Sequence, residues 1–158
     1  MPIRNGFTYV CWYTEKGSMT TVATVDTEID ENVTYYARWT DMTTEYLSTY
    51  PKIAAASGNN IATAAAMTAA NGCRTVGECY ALGIDPEDPN DDLKISDFKM
   101  EDGKPMITLN HTKDGSGNSF EQRIKTLGKA SLTDAEWREV PENGDATMRF
   151  FKVMVEMP

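Results

Sequence analysis

The first forty residues alternate apolar or aromatic side chains with polar ones, and that period of two constrains the fold more than any other feature of the chain. Phe7, Tyr9 and Cys11 alternate, Val22 and Val25 follow a break at Gly17 and Ser18, and Val33, Tyr35, Ala37 and Trp39 alternate again. Successive side chains on a strand point to opposite faces, so the pattern predicts strands with one buried face. The Glu15–Ser18 stretch predicts a turn, and the acidic Asp26–Asn32 stretch a solvated connection. Alternation also predicts that Trp39 serves the core together with Tyr35 while Tyr36 points outward, and that Trp12 packs inside as well.

From Asp41 to Gly83 the period changes. Tyr46, Leu47, Tyr50 and Ile53, then Ile61, Ala65 and Met67–Ala70, are spaced for helix in an Ala-rich stretch interrupted by Pro51 and by Ser57 and Gly58. Two short helices, or one helix and a coil, are expected there. Thr75 and Glu78 have the spacing of a capping box, which starts a further helix near Val76, and Gly83 should end it. The acidic stretch Asp85–Asp92 contains two prolines and predicts a turn. Strands are expected at Leu93–Met100, Pro105–Leu109, Ser119–Leu127, Trp137–Val140 and Met148–Met157. Asp102 and Gly103 signal a tight hairpin between the first two, Gly115–Asn118 a longer loop, and Ser131–Glu136 a turn or a single helical turn. In the last strand, Phe150, Val153 and Val155 set against Phe151, Lys152 and Met154 leave both faces mostly apolar, as expected of a strand that is central or covered on both sides.

Charge removes some functions. The 158 residues carry 24 acidic against 15 basic side chains, a formal charge of −9 that repels phosphate backbones, so nucleic acid is not an expected partner. No apolar run approaches the roughly 18 residues that cross a bilayer, so membrane insertion is not expected. The start, MPIRNGF, lacks the apolar core of a signal peptide, and Met1 stands a few residues ahead of a strand pattern, as expected of a piece or tail of a longer secreted protein.

Candidate chemistry is sparse. Cys11, Cys73 and Cys79 form no CxxC pair and His111 is the single imidazole, so a structural zinc site is not expected. A Cys73–Cys79 disulfide would close a small loop if the chain turned between them; against it stands the reading of both as small buried hydrophobes. Asp88, Asn90 and Asp92, with Asp85 and Glu87 nearby, have the alternate spacing of calcium ligands. Leu93 stands where a sharp-turn Gly is wanted and Lys99 where the bidentate Glu belongs, so carboxylates capping local amides are the competing expectation. A glycosidase pair would have to come from Glu78, Asp97, Glu101, Asp102 and Glu136, which the sequence offers by count alone. His111 has no nucleophile motif beside it and is expected at the surface. Trp12, Tyr13, Tyr35, Tyr36 and Trp39 would stack on sugars if they formed one exposed row. No catalytic residue, cofactor or metal ligand is assigned.

Gly6-Phe7-Thr8-Tyr9, then Trp12-Tyr13-Thr14, then a Thr-rich stretch ending in Tyr36-Ala37-Arg38-Trp39, resemble the second half of the Listeria/Bacteroides repeat, the internalin-type B-repeat. Cys11 stands where that family usually has a small or polar residue, and the first half of the repeat is absent. The resemblance implies a β-grasp-like fold and a place on secreted or surface-anchored bacterial proteins as spacer or contact module. The stretch from Gly72 through Gly83-Ile84-Asp85-Pro86 to Arg149-Phe150-Phe151-Lys152-Val153 similarly resembles a carboxy-terminal module of bacterial surface and secreted proteins, which implies secretion. Fixing forty residues costs about 40 to 80 kcal/mol of backbone entropy, so the half-repeat must pack on the rest of the chain, the favoured arrangement for a monomer, or pair its strand edge with a second copy.

The expectation is therefore an α+β, mainly antiparallel β chain with a partial β-grasp-like repeat at 1–40, a helical connector at 41–84 and a small β-sheet or sandwich at 85–158. Its expected role is that of a noncatalytic spacer, display or adhesion module at the cell surface or outside the cell, with an unknown protein or glycan ligand. The alternative is a carbohydrate-binding accessory of a secreted hydrolase.

Overall fold

Three short antiparallel sheets surround a helical layer in the computed structural model, which describes residues 2–14, 22–23 and 34–157. The turn at Glu15–Ser18, the connection at Asp26–Asn32, Val25 and Val33 lie outside the described residues. In the first sheet β1 (Thr8–Tyr13) lies between β2 (Val22–Ala23) and β3 (Tyr36–Thr40). The chain is α+β with antiparallel strand pairs throughout the named sheets.

The helical stretch holds three short helices before the capped one, where two were expected: α1 (Thr44–Ser48), α2 (Pro51–Ala56) and α3 (Ile61–Ala66). Pro51 starts α2 instead of interrupting a helix, because the first helical position needs no amide donor. Thr43 caps α1 by accepting from the Tyr46 amide, and Asn60 caps α3 by accepting from Thr63. The capping box forms as its spacing predicts. The Thr75 amide donates to Glu78 Oε2 at 2.6 Å and the Glu78 amide donates to Thr75 Oγ1 at 3.3 Å, opening α4 (Val76–Leu82). Gly83 closes it in the left-handed region with φ of 67°.

Helix α4 is buried along its whole length because it packs on both sides. One cluster joins Val76 and Tyr80 to Met42, Leu47, Ile53, Ala64 and Ala65, with Val10 of β1 against it. The other joins Cys79 and Leu82 to Ile84, Leu109 and Phe120, with Ile107, Ile124, Val153 and Val155 against it. The small side chains of α3 let it pack against both β1 and α4.

In the second half β4 (Ile95–Glu101) and β5 (Lys104–Leu109) form the expected hairpin, with Asp102 and Gly103 both at positive φ. The strand expected at Ser119–Leu127 begins later. Phe120 is buried and Glu121–Arg123 make one 3-10 turn before β6 (Ile124–Lys129). The strands expected near residues 137 and 150 appear as β7 (Arg138–Glu139) and β8 (Phe150–Val155). The sheet order is β7-β6-β8, so among the described residues β8 is an edge strand, and of the two arrangements expected, central or covered on both sides, it is not the central one. Its true alternation sets Phe151, Val153 and Val155 on one face and Phe150, Lys152 and Met154 on the other. Apolar residues survive on both faces for two reasons. Val153 and Val155 pack in the core cluster, and on the other face Lys152, with Lys129 of β6, lays its ammonium over the Trp137 ring, at 4.8 and 4.7 Å from the centroid.

Candidate functional site

The residues singled out for chemistry are held in local structure. In the acidic turn Asp85 Oδ1 accepts from the Glu87 amide at 2.8 Å and Asp88 Oδ1 from the Asn90 amide at 2.8 Å. Asp92 Oδ1 accepts from the Leu93 amide and from Arg74 Nε. Asp91, which sequence reasoning did not single out, is the hinge of the turn: one oxygen accepts from the Asp85 amide at 2.8 Å and the other lies 2.8 Å from His111 Nε2. Burial works against the charge on Asp91 and Asp92, but the Asp85 amide and His111 for Asp91, and Arg74 for Asp92, outweigh it and hold both carboxyls below their usual range. Capping and pairing thus engage one oxygen each of Asp85, Asp88 and Asp92, and among the described residues no three His, Cys, Asp or Glu side chains gather as a metal site. His111, expected at the surface, is half-buried by its bond to Asp91.

The carboxylates weighed for glycoside hydrolysis do not converge. Glu78 is buried in its capping box on α4, Asp102 sits in the hairpin turn and Glu136 is exposed in the loop before β7. Asp97 and Glu101 share a face of β4, but their backbones stand about 13 Å apart along the strand, Asp97 Oδ1 accepts from the Phe98 amide at 2.9 Å, and Lys99 between them pairs with Glu101 at 2.7 Å. The cysteines are all free: Cys73 is exposed, Cys11 is half-buried and Cys79 is fully buried, so Cys73 departs from the buried role considered for it. Burial pushes the Cys79 thiol up to about 12.

Two features look outward. On β1 the register shifts between Tyr9 and Cys11, so Val10 is an extra residue in the ladder. A bulge reverses the alternation beyond it, and Trp12 thereby joins Tyr9 and Trp39 on one face. The Tyr9 ring lies 5.7 Å from Trp12 and 5.9 Å from Trp39, tilted by 59° and 77°, and Trp12 is 39% exposed. All three stand outside both core clusters, which corrects the expectation that Trp12 and Trp39 pack inside. Tyr36, expected to point outward, is half-buried on the opposite face, its ring 5.7 Å from Tyr13, beside Arg38, which donates to the Thr75 hydroxyl at 2.7 Å and so faces the helices.

The second feature is a cleft of about 990 Å³ walled by β3 on one side and β8 on the other. Ala65, Gly77, Ala81 and Leu82 of α3 and α4 line it, and Ile95 and Leu109 of the hairpin contribute apolar surface. Both walls are sheet edges, because β3 pairs only with β1 and β8 only with β6 among the described residues. The sequence contains no signal for this cleft, since its walls are about 110 residues apart in the chain. Comparison with family models, with curated proteins and with solved structures finds no match to this chain.

Proposed function

We propose that this chain is a noncatalytic structural and binding module of a bacterial surface or secreted protein, serving display, spacing or adhesion. The observation that carries the reading is the pairing of two sheet edges across an apolar cleft, while the carboxylates and imidazole that catalysis would need are engaged in capping bonds and ion pairs or stand apart on separate elements. The resemblance to the internalin-type B-repeat supplies the setting, and the alternating Thr-, Tyr- and Trp-rich strands suit a contact surface better than a reaction site. Beads coated with the chain should be retained on immobilised polysaccharides or matrix glycoproteins, while glycoside, ester and peptide substrates stay intact. Turnover abolished by Glu78→Gln or His111→Ala would overturn the reading.

A carbohydrate-binding accessory role has its own observation in its favour, the Tyr9, Trp12 and Trp39 face. Rings tilted by 59° and 77° do not form one flat platform, so Trp12 offers the best stacking surface. Quenching of tryptophan fluorescence by a soluble glycan, lost in Trp12→Ala, tests it.

A further inference from the structure

Asparagine is followed by glycine at three places in the chain, Asn5–Gly6, Asn71–Gly72 and Asn143–Gly144. Such a pair can react with itself, because glycine has no Cβ to shield its amide nitrogen. That nitrogen, once it loses its proton, attacks the asparagine Cγ. The new C–N bond closes a five-membered imide and the carboxamide nitrogen leaves as ammonia. Water then opens the ring at either carbonyl, leaving aspartate or isoaspartate. The reaction requires a glycine amide free to approach Cγ and a carboxamide free to turn toward it.

The fold withholds these freedoms at two of the three places. Asn71 Oδ1 accepts from the amides of Cys73 and Arg74 at 3.1 and 3.2 Å, and its Nδ2 donates to the Asp91 carbonyl at 3.1 Å. The Gly72 amide donates to the Ala69 carbonyl at 3.0 Å, so nucleophile and leaving group are both engaged. The side chain of Asn143 is exposed, but the Gly144 amide donates to the Pro141 carbonyl at 2.8 Å. Gly144 also abuts the β4–β5 hairpin, where an added Cβ would stand 2.7 Å from the Gly103 carbonyl oxygen. The Gly144 backbone therefore has no room to swing toward Cγ.

The first pair is placed differently. Asn5 and Gly6 are the central residues of a turn between Arg4 and Phe7, closed by the Phe7 amide donating to the Arg4 carbonyl at 3.1 Å. That bond uses neither central amide, and among the described residues the Gly6 amide donates no main-chain bond. Both residues are exposed, Gly6 has φ of 78°, and no atom lies within 4 Å of where its Cβ would stand. Opening a single bond, which water replaces, lets the Gly6 nitrogen swing onto Cγ.

We propose that Asn5 is a site of spontaneous covalent modification, losing ammonia through the imide with Gly6 and taking up water to become isoaspartate and aspartate, while the fold keeps Asn71 and Asn143 unreactive. The product carries one negative charge more. It stands beside Arg4, whose guanidinium lies 3.8 Å from the centroid of the Phe7 ring, and competes with that ring for the cation. Isoaspartate also lengthens the main chain by one carbon between Arg4 and Phe7, which breaks their bridge just ahead of β1. The reaction needs no ligand and is independent of the binding-module reading.

The test is to incubate the full chain at several pH values around neutrality, folded and in guanidinium, and to follow each Asn-Gly site by peptide mapping with mass spectrometry. In the folded chain Asn5 should convert at least tenfold faster than Asn71 and Asn143, at a rate that rises with pH, and isoaspartate should exceed aspartate. In guanidinium the three rates should converge to within a few-fold. Asn5→Gln should abolish conversion at that position and leave the other two rates unchanged, with melting curves confirming that the variant folds. Conversion of Asn71 or Asn143 as fast as Asn5 in the folded chain, or an Asn5 that stays intact there, overturns the inference. The same rate order in guanidinium as in the folded chain would assign the selection to local sequence and overturn it too. Aspartate without isoaspartate would exclude the imide.

Discussion

Replacing Gly83 by alanine probes how α4 is locked to the loop beyond the hairpin. Gly83 holds φ of 67° at the end of α4, and a Cβ there would stand 1.9 Å from the carbonyl oxygen of Lys113 and 3.1 Å from its carbon. The Lys113 stretch has little freedom to retreat: Lys113 bridges Ser119, the Asp114 amide donates to Asn118 at 2.8 Å, and the Gly115 amide donates to Tyr80 at 2.6 Å. An alanine in the left-handed region costs about 1–2 kcal/mol. Forcing a methyl into a filled site adds about 1–3 kcal/mol. Gly58 is the control, since its φ is 61° but no atom lies within 4 Å of the added methyl. The backbone penalty and the entropy lost by the unfolded chain are common to both variants, so Gly83→Ala should be less stable than Gly58→Ala by about 1–3 kcal/mol, the packing part alone. Urea denaturation followed by circular dichroism measures the difference, and melting points should separate by about 2–12 °C for a chain of this size. Equal stabilities within about 0.5 kcal/mol would show that α4 does not abut the Lys113 carbonyl, and the argument for the shared helix would fail.

Thr75→Ala removes both the cap of α4 and the acceptor of Arg38, so it should cost about 1–2 kcal/mol in urea denaturation, with Thr75→Ser largely restoring stability. Maleimide labelling of the native chain at neutral pH should modify Cys73 first and Cys11 slowly, because burial raises its thiol, and should reach Cys79 only on unfolding. Fast labelling of Cys79, or none at Cys73, would contradict the packing. Asp91 and Asp92 have folded values below the unfolded carboxyl value of about 3.9, so their contribution is complete above that pH and is lost as pH falls through the folded values. Melting points of Asp91→Asn and Asp92→Asn variants should therefore converge with those of the parent chain as pH falls below about 4. A gap that persists undiminished in acid would refute the role assigned to the carboxylates.

Local chemistry was legible in the residues. Thr75 and Glu78 announced their helix start, Gly83 its end, and Asp102 with Gly103 the hairpin, because each motif is closed by atoms three or four positions apart. Alternation identified the strands, and with them the α+β class with antiparallel sheets. Which face each side chain takes was not legible. The period of a strand is two, so one extra residue at Val10 moved Trp12 onto the face of Trp39, and one at Ser96 moved Ile95 onto the face of Phe98. A bulge is seen only against the partner strand, and the partner is chosen by contacts distant in sequence. The same holds for β8, whose apolar character left open whether it is central or covered on both sides until its neighbours were known, and for the cleft between β3 and β8, which exists because α4 packs on one core cluster with each side. The sequence by itself determined the elements and their caps, whose energetics are local. The tertiary structure alone decided the faces, the edges and the cleft, because these are set by register and packing between segments that the chain order keeps far apart.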